Sequence, residues 1–101
     1  MYEESKNNYK KVFNECIKQT EKLTLQFPEI PLYQIVLNQL EILKVRLIDK
    51  EITISREELF DKYSFGSIAA KNFDYTIYGN NLMFVYGMSY KYLNLPDKLK
   101  T

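Results

Sequence analysis

Two prolines three residues apart, Pro28 and Pro31, divide the first half of the chain, and the patterns on either side of them limit what it can fold into. Before them, Tyr9, Val12, Phe13, Cys16, Ile17, Thr20, Leu23 and Phe27 recur at the three-and-four spacing that places side chains on one face of an α-helix. Lys10, Lys11, Glu15, Lys18, Glu21 and Lys22 fall on the other side with mixed sign, as a solvated face requires. Pro28 pushes Phe27 out of the helical region, and Pro31, with no N–H and a fixed φ, suits the first turn of a new helix. Phe27 to Pro31 is therefore expected to be a helix-to-helix corner.

Beyond the corner, Leu32, Ile35, Val36, Leu40, Leu43 and Leu47 form one helical stripe, and Leu37, Ile42, Val45 and Ile48 widen it. The run from Leu32 to Ile48 has no turn signal and exceeds normal strand length, so it reads as a helix, apolar around much of its circumference and expected at the centre of the fold. Glu51 to Ile54 is expected as an extended connector. Ser55 followed by Glu58 forms a capping box in front of Leu59, Phe60 and Tyr63, which starts a third helix at Arg56. Gly66 is expected to bend or break it, and Ser67, Ile68, Ala69, Ala70, Lys71 and Phe73 resume it with residues small enough for close helix contact. Asp74 to Asn81, with Gly79, Asn80 and Asn81, reads as a loop carrying Tyr75 and Tyr78. A last helix runs from about Asn81 to Leu93, with Leu82, Val85, Tyr86, Ser89, Tyr90 and Leu93 in register, before Pro96 ends the fold in a tail over 94–101. The expected class is all-α: one domain over 1–101, a compact bundle of four to five helices.

Composition supports such a bundle and excludes several functions. The chain has 101 residues, 46% hydrophobic and 27% charged, enough for one core and too apolar for disorder. A net charge of +1 provides no field to gather phosphate backbones, so nucleic acid is not the expected partner. No charge-free apolar run is long enough to span a membrane, and the polar start, Met1 to Lys11, is unlike a signal peptide, so the expected place is the cytoplasm. The lone Cys16 sits among Val12, Phe13, Ile17 and Thr20 and reads as a core thiol.

Catalytic signals are missing. With no histidine, the usual triads and the His/Cys zinc sets cannot be drawn, and three dispersed glycines make neither a P-loop nor a dinucleotide fingerprint. The chain is thus expected to be non-enzymatic, with no cofactor. Asp49, Glu51, Glu57, Glu58 and Asp61 gather near Lys50 and Arg56, which reads as a helix start with its acids on the favourable end of the macrodipole, as an acidic docking face, or as an acid/base pair. Nine tyrosines are the other departure. Tyr86 and Tyr90 fit helical packing, whereas Tyr75 and Tyr78, on the expected loop, read equally as packing or as protein contact.

Phe27-Pro28, Gln39-Leu40 with Leu43 and Leu47-Ile48-Asp49, and above all Gly66-Ser67-Ile68-Ala69-Ala70-Lys71-Asn72-Phe73-Asp74 resemble the helical immunity proteins of type VI secretion systems that neutralise NAD(P)-glycohydrolase effector toxins. The similarity runs from Leu23 to about Tyr92 and departs after Asp74, where relatives continue with an acidic, Asp-Pro-containing loop. The resemblance implies a small cytosolic helical protein with no catalytic activity of its own, whose partner is a cognate effector toxin and which blocks that toxin's active site. Gly66, Ile68, Ala69 and Phe73 read as scaffold for a helix crossing. The candidate toxin contacts are the polar and aromatic positions beside it, Asp74, Tyr75 and Tyr78, with Glu57, Glu58 and Asp61 as the acidic alternative. A general adaptor that takes a peptide or helix in an apolar groove is the rival reading.

Overall fold

In the computed structural model, which describes residues 2–98, the first helix begins where its backbone can be satisfied. α1 spans Lys6–Gln26; the Asn8 N–H donates to the hydroxyl of its N-cap, Ser5, at 3.2 Å. Two more N–H groups that have no helical partner, those of Lys6 and Asn7, donate to the carbonyls of Pro96 and Asp97 at 2.7 and 3.0 Å. The first half of the expected 94–101 tail therefore caps α1; residues 99–101 lie outside the described residues. α1 ends at the Pro28 corner, and α2, Pro31–Lys44, begins with its proline at the first position.

α1 buries one stripe, Tyr9, Val12, Phe13, Cys16 and Thr20, and α2 buries Val36, Leu40 and Leu43 against it. The rest of α2 corrects the sequence reading: Ile35 and Ile42 are 42% and 62% exposed, so this helix lies at the edge of the fold and not at its centre. A single turn of π-helix, Val45–Asp49, continues α2, closed by the Lys50 N–H on the Val45 carbonyl at 2.9 Å, and turns Leu47 into the core. Glu51, left-handed at φ 53°, then starts an extended connector that buries Ile54.

α3, Arg56–Lys62, starts at the capping residue Ser55, whose hydroxyl accepts from the Glu58 N–H at 3.1 Å. The break expected at Gly66 falls earlier, at Tyr63 and Ser64, and α4 runs Phe65–Asn72 with Gly66 inside its first turn. A side chain from α2 makes that start: the Gln39 amide oxygen accepts from the N–H groups of Ser64 and Phe65 at 2.8 and 2.9 Å, and its nitrogen donates to the Ser64 hydroxyl at 2.9 Å. α5 spans Ile77–Met88, four residues earlier than expected, and closes in a 3₁₀ segment, Ser89–Asn94.

α2 packs on α1, α1 on α5, α5 on α4 and α4 on α2, so four helices enclose one core, with α3, the π turn and the 3₁₀ segment around one end. Among the described residues there is no strand, and the fold is all-α with five α-helices, as the sequence implies. At its centre Tyr9 is fully buried with its hydroxyl 3.0 Å from that of Ser89; since the Ser89 proton goes to the Val85 carbonyl at 2.6 Å, Tyr9 is the donor.

α4 and α5 pack closely at Gly66. Gly66 lies under the Tyr86 ring, where an added Cβ would come within 2.4 Å of Tyr86 Cγ, and the Tyr86 hydroxyl donates to the Tyr63 carbonyl at 3.1 Å. Gly66→Ala is expected to lift that ring and destabilise the fold by about 1–3 kcal/mol. The urea midpoint should fall while the slope of the transition stays constant. Gln39→Leu, which leaves two N–H groups at the α4 start without an acceptor, is expected to cost about 1–3 kcal/mol in the same measurement.

Candidate functional site

The turn between α4 and α5 is held from within. The Phe73 carbonyl accepts from the Thr76 N–H at 3.2 Å and from the Thr76 hydroxyl at 2.5 Å, while that hydroxyl accepts from the Gly79 N–H at 2.9 Å and caps α5. Gly79 is needed here for space, because a Cβ would lie 2.0 Å from the Phe73 oxygen. Inside this closed turn Asp74 is exposed, and Tyr75 stands left-handed at φ 65° with 94% of its surface in solvent. Ile77, on the other side of Thr76, is 81% exposed.

Tyr78 does not belong to a loop. It sits in the first turn of α5, half-buried, its ring edge-on to Phe73 with centroids 5.2 Å apart. Thr20 donates its hydroxyl proton to the Cys16 carbonyl at 2.6 Å, so the Tyr78 hydroxyl, 2.7 Å from Thr20 Oγ1, is the donor in that pair. Burial pushes the Tyr78 hydroxyl up to about 12. The sequence signal for a loop was Gly79-Asn80-Asn81, but the glycine serves close packing and Asn81 anchors the N-terminal segment, its Oδ1 accepting from the Tyr2 hydroxyl at 2.5 Å.

An open groove of about 480 Å³ runs beside this turn between α1 and α5. Ile77, Tyr78 and Asn81 form one wall, and Glu15, Lys18, Gln19 and Lys22 of α1 the other, with Cys16 at the base. Burial, with a smaller contribution from Glu15, pushes the Cys16 thiol up to about 12, so it stays protonated and unreactive at neutral pH, as a core thiol should.

The acidic residues of α3 form a separate group. Glu57 and Asp61 are exposed. Glu58 faces inward: its carboxylate takes a charge-assisted hydrogen bond from Arg46 of the π turn and lies 3.4 Å from Lys62 Nζ. Arg46 also donates to the Thr53 carbonyl, so one guanidinium ties the end of α2 to the connector and to α3. Asp74, Tyr75 and Tyr78 thus gather at the turn that follows α4, whereas the three acids lie on α3, which precedes it.

An aliphatic surface escaped sequence reading. Ile42, Val45 and Ile52 are 62%, 44% and 50% exposed and, with Arg46 and Lys50, line a second, shallower groove. Apolar density alone assigns Ile42 and Val45 to the core, yet both lie off the Val36, Leu40, Leu43 and Leu47 stripe, and that offset is the available signal. Among the described residues no group of three or more His, Cys, Asp or Glu is placed to hold a metal ion, and no helix is long and apolar enough to cross a membrane.

The sequence profile of the Tsi6 family matches residues 8–79, from the first turn of α1 to the first turn of α5, including the Phe73–Thr76 turn. The chain belongs to the Tsi6 family. Tsi6 is a type VI secretion immunity protein for the NAD(P)+ glycohydrolase toxin Tse6, and the chain takes its place among the type VI immunity proteins on that match. No curated protein and no solved structure matches it.

The Arg46 hydrogen bond holds the Glu58 carboxyl below its ordinary value of 4.5. A depressed carboxyl contributes stability that is fully present above the unfolded value and is lost as pH falls through the folded one. Thermal unfolding across the acid range should therefore show the parent losing stability below about pH 4.5 more steeply than Glu58→Gln, with the two curves parallel near neutrality.

Proposed function

We propose that this protein is a non-enzymatic cytoplasmic immunity protein that binds a cognate NAD(P)-glycohydrolase effector toxin and inhibits it by covering its active site. The family match over residues 8–79 carries the reading. The chemistry of the chain supports it: no histidine is available as a general base, the one thiol is held protonated, and the carboxylate nearest to an acid/base pair, Glu58, is engaged by Arg46. A toxin that consumes NAD(P) acts where that cofactor is made and used, and the cytoplasmic reading rests on that chemistry.

The proposed contacts are Asp74 and Tyr75, with the half-buried Tyr78 as the support beneath them, because this turn presents a large aromatic ring on a rigid base. The acidic alternative narrows to Glu57 and Asp61, since Glu58 is occupied within the fold. These two carboxylates suit a basic cleft shaped for a phosphate-bearing dinucleotide.

Co-purification with the product of the adjacent gene, followed by an NAD(P) hydrolysis assay of that product, tests the proposal. Turnover is expected to stop at about one equivalent of inhibitor, the stoichiometry of tight one-to-one binding. Tight binding to a partner that consumes no NAD(P) would retain an inhibitor and overturn the toxin chemistry. Glu57→Lys with Asp61→Lys is expected to slow association if the acidic face meets the cleft, and unchanged kinetics would eliminate that face. The exposed Ile42, Val45 and Ile52 favour the rival adaptor reading, which replaces this one if the adjacent product does not bind.

A further inference from the structure

Tyr75 is exposed and backbone-strained at once. A tyrosine at φ 65° takes a conformation that glycine or asparagine adopts more readily, and among the described residues its ring makes no aromatic, cation–π or hydrogen-bonded contact within the chain that would offset the strain. The turn does not require a side chain there, since its closure runs through Phe73, Thr76 and Gly79. The ring is therefore held out at a cost to the free protein.

Two features extend the surface beyond Tyr75. Ile77, with 81% of its surface in solvent, stands at the first position of α5 and opens into the α1–α5 groove. On the far lip Lys18 and Lys22 lie four residues apart on one helical face, and among the described residues neither makes an ion pair, while Glu15 is the one acid lining the groove. The result is an aromatic knob, an aliphatic step and a basic-lipped channel in continuous order.

We infer that Tyr75, Ile77 and the groove between α1 and α5 form one docking surface, occupied by an acidic segment of the cognate toxin that carries an apolar side chain for the Ile77 end. The inference rests on the immunity reading and deepens it. Charge selects the occupant: Lys18 and Lys22 outnumber Glu15 along the channel, so a segment bearing carboxylates is drawn in and a basic one is turned away. Continuity with the Asp74–Tyr75 turn places that segment on the partner already proposed for the turn.

The test uses the full chain and the toxin domain encoded beside it, measuring the thermal midpoint of the free protein and the affinity and association rate of the pair. Tyr75→Gly is expected to keep the midpoint at or above that of the parent, by up to about 4 °C once relieved strain is set against glycine's greater unfolded freedom. The same variant is expected to weaken toxin binding about 30-fold or more, the loss of an interfacial aromatic anchor. Lys18→Glu with Lys22→Glu is expected to slow association at low salt, with the difference shrinking as salt is raised. A lowered midpoint in Tyr75→Gly would show that the ring serves the fold, and an unchanged affinity or an unchanged association rate in the lysine variant would remove the surface while leaving immunity intact. If the unmodified chain itself fails to bind the toxin, the immunity reading falls, and this inference with it.

Discussion

The contact between α4 and α5 at Gly66 and Tyr86 governs where the candidate surface lies. Tyr86 can cover Gly66 only because no Cβ intervenes, and from that position its hydroxyl reaches back to the Tyr63 carbonyl at the break between α3 and α4. One tyrosine thus sets both the separation of two helices and the point at which a third one ends. At the other end of α4, Gly79 repeats the device against the Phe73 backbone, so the turn is pinned between two close approaches. Tyr75 is presented by a rigid frame, and a contact residue on such a frame loses little entropy when it binds.

The remaining connections are made by side chains that cross between elements. Gln39 of α2 supplies the acceptor for two N–H groups at the start of α4, and Arg46 of the π turn joins the connector to α3 through Thr53 and Glu58. The Arg46 pair is partly exposed and screened, so its value lies more in fixing the orientation of a seven-residue helix than in net stability. A helix that short cannot hold itself in water, and its capping serine and this ion pair provide what its length does not. Gln39 falls in the part of the sequence that carried the family resemblance. For Gln39 the reason is now mechanical.

Much of the fold was legible because period and punctuation agreed. Pro28 and Pro31 marked the first corner, Ser55 with Glu58 marked the start of α3, and the buried stripe of α1 follows the expected spacing. What failed did so where one residue type serves two physical ends. Glycine signals both a turn and a close approach, so local pattern marks Gly66 as a bend or break and Gly79 as a loop, although each sits inside a helix beneath a neighbour. Isoleucine and valine signal burial in general but not which face is covered, so pattern alone puts α2 at the centre while Ile35, Ile42 and Val45 face solvent. Of the candidate contacts, Asp74, Tyr75, Glu57 and Asp61 are exposed as a contact residue must be, whereas Tyr78 and Glu58 turn inward to Thr20 and Arg46. Those two partners lie 58 and 12 residues away in sequence, beyond the reach of local pattern.

A type VI immunity protein meets a demand that shapes the surface more than the core. Its partner is one cognate toxin, and a contact on a fixed scaffold discriminates through what it sets against that partner and what it leaves unpaired there. A core residue contributes to every version of the fold alike, so it cannot carry such a distinction. A residue that weakens the free protein can, because its retention requires a gain realised only in the complex. Tyr75 meets that description: a left-handed backbone without glycine, in a turn whose hydrogen bonds close without it, and a ring almost wholly in solvent. Strain at an exposed tyrosine, in a turn that closes without it, is therefore the feature on which the proposed docking surface would draw.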